Sequence, residues 1–262
     1  MLICAVGDLL LDVVVRLDGP IAADTDTYGQ TSVGAGGQAA NVAAWASALG
    51  GRGRFLGKRA RDPAGRIAAA ELAARGVELA GPEVERGTGT VVSIAGTDGS
   101  RSMLSDRGVA TELAAEEVDP AWLEGCDWLH VPGYSLVRQP LSAAATRAAK
   151  LAGRVSVDAS SVAAIDEVGP ELFRELVRDL QPEVVFANEA EADLLGPLEG
   201  TTIVVHGNSG CRVGDESFAA VAAEVVDTTG AGDAFAAGYL LGGPQLALEA
   251  AARCVGRMGA MP

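Results

Sequence analysis

Short apolar runs alternate with longer amphipathic stretches along most of the chain. Leu2–Gly7 is such a run and predicts a buried strand. The same pattern predicts strands at Trp128–Val131, Val155–Asp158, Val184–Ala187 and Thr202–His206. Between them it predicts helices at Gly37–Leu49, Pro140–Leu151, Pro170–Leu180 and Glu189–Leu195. Asp62 followed by Pro63 reads as an N-cap with proline at the first helical position, and Gly76 closes the helix that starts there. A strand-then-helix rhythm of this kind predicts an α/β fold, with a mostly parallel central sheet covered by helices on both faces.

Two stretches leave the rhythm. Asp12–Val33 and Thr88–Asp106 carry strand and turn signals without helices. Within the second, Thr90–Ala95, the turn Thr97-Asp98-Gly99-Ser100 and Arg101–Leu104 read as a hairpin. The two excursions are expected to pair into a small sheet outside the main one, able to close over a site. Two surface hairpins without a role are the alternative.

Length and charge narrow the function. The chain has 262 residues, 48% hydrophobic and 21% charged, enough for a sizeable core without disulfide or metal staples. Its net charge of −15 is poorly suited to wrapping nucleic acid or an anionic membrane, so neither is expected as a partner. The start meets Asp8 too early for a signal peptide, and no run of about 18 apolar residues predicts a membrane span. Cys4, Cys126, Cys211 and Cys254 lie far apart with no C-x-x-C spacing. They read as free thiols in a reducing compartment, and a cytoplasmic location is the expectation. His130 and His206 are too few for a histidine-based mechanism.

Two glycine-rich segments invite phosphate. Gly34-Ala35-Gly36-Gly37-Gln38-Ala39 matches the letters of a dinucleotide-binding fingerprint but not its place after the first strand, and no acid follows about 20 residues on. Asp227-Thr228-Thr229-Gly230-Ala231-Gly232-Asp233 is more informative, because the apolar Ala234–Leu241 after it predicts a helix. A glycine turn at a helix N-terminus offers backbone N–H groups and a dipole to an anion. Asp233 would repel that anion. It acts either as a base for an attacking hydroxyl or as an ordinary first-turn acid.

The string DTTGAGDAF resembles the C-terminal signature of the ribokinase-like, or PfkB-type, carbohydrate kinases. Gly36-Gly37-Gln38-Ala39-Ala40-Asn41 is similar to that family's N-terminal signature, Gly7 to Asp12 to its G-x-x-x-x-D, and Asn188 to Glu191 to its N-x-x-E. Gly207-Asn208-Ser209-Gly210 falls where the family has a glycine turn on the nucleotide side. The matches occur in family order over nearly the whole chain. They imply one ribokinase-like α/β domain over 1–262, a three-layer sandwich whose lid comes from about 12–33 and 88–106.

The resemblance implies ATP-dependent phosphorylation of a hydroxyl on a small sugar or sugar acid. A nucleoside kinase, or a catalytically silent binding protein, is the alternative on the same fold. Asp233 would be the general base and the amides of Gly230, Ala231 and Gly232 the anion hole. Asp12, Gly36, Gly37 and Asn41 would bind substrate, and Arg107 could reach a substrate carboxylate or hydroxyl. Asn188, Gly207, Gly210 and Thr228 would serve the nucleotide. Glu191, with Asn188, would serve Mg²⁺ through water, although both also fit a helix cap. ATP and Mg²⁺ are the implied cofactors, with a monovalent cation left open, and a homodimer through the lid is the implied assembly. Asp158 ends a strand at the same edge without an assigned role. Gly242-Gly243-Pro244 shortens the usual helical return, and residues near Cys254–Gly259 would flank the adenine.

Overall fold

The computed structural model describes residues 1–96, 101–198 and 200–262. Its first half holds β1 (Leu2–Val6), β2 (Leu10–Leu17), β3 (Gly29–Gly36), α1 (Gln38–Ala48), β4 (Arg52–Leu56), β5 (Arg59–Ala60), α2 (Pro63–Ala74), β6 (Glu78–Ala80), β7 (Glu83–Val84), β8 (Thr88–Ala95) and β9 (Arg101–Gly108). Its second half holds β10 (Trp128–Pro132), α3 (Leu141–Leu151), β11 (Val155–Asp158), α4 (Val162–Val168), α5 (Pro170–Asp179), β12 (Val184–Asn188), α6 (Glu189–Leu195), β13 (Thr201–Val205), β14 (Cys211–Val213), β15 (Glu216–Phe218) and α7 (Ala231–Val255).

The main sheet runs β15-β14-β13-β12-β11-β10-β1-β4-β6. Every pairing from β13 to β6 is parallel, and β14 and β15 add an antiparallel end. β1 is buried throughout because alternate residues feed two cores. Ile3 and Ala5 join α1, α2 and α7 on one face. Leu2, Cys4 and Val6 join α3 and α5 on the other. α1 is built almost wholly of small residues because it lies against β4. A Cβ on Gly53 would stand 1.9 Å from the Ala43 carbonyl oxygen. No described helix is long and apolar enough to cross a membrane.

The two excursions form a separate four-stranded sheet, β3-β2-β8-β9. β2 and β3 are antiparallel, β2 and β8 parallel, and β8 and β9 antiparallel. The turn expected at Thr97–Ser100 lies outside the described residues.

Several elements differ from the sequence expectation. β4 and β6 are strands that the pattern did not single out, since Arg52 and Arg54 interrupt one and Glu78 opens the other. α4 is a short helix capped by Ser161, whose Oγ accepts from the Ala164 N–H at 3.1 Å. The helix expected at Ala234–Leu241 begins at Ala231, so the glycine turn is itself its first turn. At Gly242 and Gly243 the backbone leaves helical geometry, and Pro244 starts a second helical segment.

Candidate active site

β1, β11 and β12 end at one edge of the main sheet, and the small sheet stands over that edge. A cleft of about 590 Å³ lies there. Strand ends contribute Asp8, Asp158 and Asn188, and α1 contributes Gln38 and Asn41. The small sheet contributes Asp12, Ser105 and Arg107, and the start of α7 contributes Thr228 to Asp233.

The turn before α7 is held by Asp227. One carboxylate oxygen accepts from the Thr229 N–H at 3.0 Å and its hydroxyl at 2.7 Å, and the other accepts from the Gly259 N–H at 3.0 Å. Gly230 is the N-cap at φ +78°, where a Cβ would also lie 2.6 Å from Ala260. Gly232 has no such constraint, since a Cβ there would meet nothing within 4 Å. The Ala231 N–H bonds the Thr228 carbonyl at 3.3 Å, so this member of the expected anion hole is engaged within the turn. First-turn amides otherwise lack intrahelical acceptors and carry the positive end of the helix dipole.

Asp233 is buried in that first turn. Asn41 donates from Nδ2 to its Oδ2 at 2.7 Å, which fixes the carboxylate. Asn41 is itself only 5% exposed, and its Oδ1 has no partner in the protein. A buried amide oxygen without a partner, on a residue of the cleft wall, is costly unless a ligand group reaches it. Burial drives the Asp233 carboxyl well above its ordinary value. The Asn41 bond opposes this, and the charges of Asp158 and Asp8 add to it.

Asp158, at the end of β11, accepts from the Ser160 N–H at 2.6 Å and from Gln38 Nε2 at 3.2 Å. Burial, with the charge of Glu191 next in order, pushes it up to about 7. Asn188 and Glu191 form a complete capping box. Asn188 Oδ1 accepts from the Glu191 N–H at 3.0 Å, Glu191 Oε2 from the Asn188 N–H at 2.9 Å, and Glu191 Oε1 from Asn188 Nδ2 at 2.6 Å. Burial raises Glu191, and the two Asn188 bonds hold it back.

Asp12 lies on β2 opposite Gly34, and its carboxylate occupies the space that a Cβ on Gly36 would fill at 2.1 Å. Among the described residues Gly36 and Gly210 are not part of the cleft wall, whereas Gly37 and Gly207 are. Gly36 makes room for Asp12. Gly210, at φ +108°, would drive a Cβ to 1.9 Å from the Phe218 carbonyl oxygen, so it lets the β13–β14 connection pass close to the end of β15. His206 sits at the strand end as expected, its Nδ1 2.7 Å from Glu189 Oε1.

The pattern passed over Asp8. It follows β1, is 4% exposed, and accepts from Arg107 Nη1 at 2.7 Å. The Arg107 guanidinium also stacks on the Tyr134 ring, 4.7 Å from its centroid. An acid ending an apolar strand was the available signal. Its partner stands 99 residues away, so the pairing itself left no local trace. Gln38, a residue of the glycine-rich motif to which the sequence assigns no role, bridges Asp158 and Ser160, whose Oγ donates to Gln38 Oε1 at 2.5 Å.

Known proteins resemble this chain over nearly its whole length. The ATP-dependent ribose-1-phosphate kinase of Halopiger xanaduensis is 30% identical, the match covering 98% of this chain and 93% of that protein. The crystal structure of adenosine kinase from Sinorhizobium meliloti superposes with a TM-score of 0.85 at 26% identity, covering 99% and 95% of the two chains. A sugar kinase of Pyrococcus horikoshii solved with ATP shares the fold, with a TM-score of 0.85 at 23% identity over 99% and 95% of the chains. The fold is ribokinase-like, and the pfkB family carbohydrate kinase profile matches residues 1–261. The chain therefore belongs to the pfkB family of carbohydrate kinases, which are phosphotransferases.

Proposed function

We propose that this protein transfers the γ-phosphoryl group of ATP to a hydroxyl of a small sugar, with Asp233 as general base. The observation that carries this reading is Asp233 itself. It is a buried carboxylate oriented by Asn41 in the first turn of α7, beside a glycine with open space in front of it. A hydroxyl presented there can give its proton to Asp233 as its oxygen attacks in line. The raised affinity of Asp233 for a proton makes it a stronger base than an exposed aspartate. The amides around Gly230 and Gly232 and the helix dipole face the charge that develops on the transferring group. Asp12 and Asn41, both on the cleft wall, are suited to sugar hydroxyls. Thr228 and Gly207, on the cleft wall beyond the turn, are suited to the nucleotide.

The donor set fits Mg²⁺ that arrives on the nucleotide. Glu191 engages both carboxylate oxygens in its cap, so contact through water preserves the capping box, and direct ligation would open it. Among the described residues no group of three or more His, Cys, Asp or Glu is placed to hold an ion alone. When bound, the ion would neutralise charge between the β- and γ-phosphoryl oxygens. The small sheet serves as a lid over the acceptor, and its outer face pairs with a second copy. A nucleoside is the second acceptor class, favoured by the likeness to the adenosine kinase. A coupled ADP-release screen over sugars, sugar acids and nucleosides tests the assignment. Nucleotide binding without ADP release for any acceptor would overturn it in favour of a silent binding protein.

A further inference from the structure

Arg107 is the one lysine or arginine among the described residues that line the cleft, against Asp8, Asp12, Asp158, Glu191 and Asp233. Its charge is already answered. Asp8 is 6% exposed at its side chain and holds Nη1 at 2.7 Å, while the Ala39 N–H donates to the other Asp8 oxygen at 3.3 Å. The Asp8 backbone is also tied to α1, because its carbonyl accepts from the Ala40 N–H at 3.4 Å. Behind the pair is a small cavity of about 60 Å³ bordered by Arg138, but Glu167 takes that guanidinium at 3.1 Å.

A carboxylate or phosphate on the acceptor could take Arg107 as its own counter-ion only by displacing Asp8, since the two charges already cancel. That would strand a buried carboxylate without its counter-ion. If Asp8 stayed in place, the acceptor's anion could share only the N–H groups of a guanidinium whose charge Asp8 already cancels, while facing the remaining acids. Uncharged hydroxyls suffer neither penalty. They can donate to the carboxylates that line the cleft and accept from the Arg107 N–H groups that Asp8 leaves over.

Building on the kinase reading, we propose that Asp8 is a specificity-determining residue that occupies Arg107 and so restricts the acceptor site to uncharged polyols, excluding sugar acids and phosphosugars. In this respect the chain diverges from the ribose-1-phosphate kinase it resembles, whose named substrate is an anion.

The test is calorimetric binding of matched pairs, D-glucose against D-gluconate and D-ribose against D-ribose 1-phosphate. The proteins are the wild type, Asp8→Asn and the double variant Asp8→Asn/Arg107→Met. The wild type should bind neither anion more tightly than its uncharged partner. Asp8→Asn should bind at least one anion tenfold or more tighter than the wild type does, and the added Arg107→Met should remove that gain. A wild type that prefers an anion overturns the proposal. So does Asp8→Asn without a gain, or a gain that survives loss of Arg107. Asp8→Ser replaces Asp8→Asn if the latter does not fold. Acceptor-dependent ADP release is measured on the same proteins. Its absence alongside the expected binding pattern defeats the kinase reading and leaves the selectivity assignment standing.

Discussion

Asp233 stands where a carboxylate repels an incoming phosphate, so its retention needs a chemical reason. Asp233→Asn keeps the size and the Asn41 contact surface but removes the proton acceptor. Acceptor-dependent ADP formation should fall about 10²–10⁴-fold, with nucleotide affinity unchanged or improved. A variant that melts lower yet keeps more than half the wild-type rate would mean that Asp233 is only a first-turn acid. In the wild type, kcat/KM should fall as pH drops through a value above the ordinary carboxylate range, because the base must be unprotonated and burial raises its pKa. Asp158 makes a separate prediction about stability. Its carboxyl is held at about 7 in the fold, against about 3.9 for an unfolded aspartate. The fold therefore favours the protonated form, and that stabilisation is complete below about pH 4 and is lost as pH rises to about 7. Relative to Asp158→Asn, the wild type should lose up to about 1.4 kcal/mol per pH unit across that window. Urea unfolding of both proteins at pH 4.5 and pH 8 measures the difference, and a pH-independent difference would contradict the burial argument. At this scale the sequence displayed Asp233 and Asn41, because an acid in an anion cradle and an amide in an alanine run are locally incongruous. Asp8 showed no comparable sign. An acid after a strand is common, and its meaning depends on Arg107 far along the chain.

The elements explain why glycine recurs in the turn before α7. Gly230 and Gly232 are two residues apart and constrained for different reasons. Gly230→Ala puts a Cβ at φ +78° and 2.6 Å from Ala260, so it should destabilise the fold by more than about 1 kcal/mol. Gly232→Ala meets no protein atom within 4 Å and lies in a helix. It should hold or raise stability by about 0.5–1 kcal/mol while raising the nucleotide KM or lowering kcat. Equal losses of stability in the two variants would show that the open side of Gly232 is not the phosphate's place. α6 gives a parallel case. Asn188→Ala removes the cap and should cost about 0.5–2 kcal/mol. Glu191→Gln can still accept from the Asn188 N–H, so its melting temperature should move little while turnover at saturating Mg²⁺ falls. Wild-type turnover in Glu191→Gln would leave Glu191 as a capping residue alone. The capping box was legible from spacing, and so were the caps of α2. The start of α7 was not, because a glycine-rich string carries little helix propensity even where it forms the first turn.

Across the whole molecule, the parallel sheet followed from the alternation of apolar runs with amphipathic stretches. The small sheet followed from the two places where that alternation failed. What stayed hidden was set by packing at a distance. β4 and β6 carry charged residues yet complete the sheet edge, their arginines and Glu78 paired across strands at 2.6 Å for Arg54. The register of the small sheet leads to the last prediction. Paired residues in adjacent strands share a face. Val33 pairs with Val13, Val13 with Val92, and Val92 with Leu104, so one apolar row crosses all four strands. Met103, Ser105 and Arg107 alternate with Leu104 on β9 and line the cleft, which puts the row on the sheet's other face. Val33 is 56% exposed and Leu104 59%, and their strands are the edges of the sheet. The row itself carries no charge, although Asp106 flanks it on the same face, so two copies carrying −15 each can meet along it with less repulsion than elsewhere. A second copy packed face to face on this row would cover it and brace the lid. Sedimentation equilibrium of the wild type should give twice 26.5 kDa at micromolar concentration. Leu104→Asp, which places a charge in the row without touching the cleft wall, should shift the protein to monomer with its melting transition still cooperative. A wild type that stays monomeric at high micromolar concentration removes the second copy as occupant, and a Leu104→Asp dimer of unchanged affinity moves the interface elsewhere.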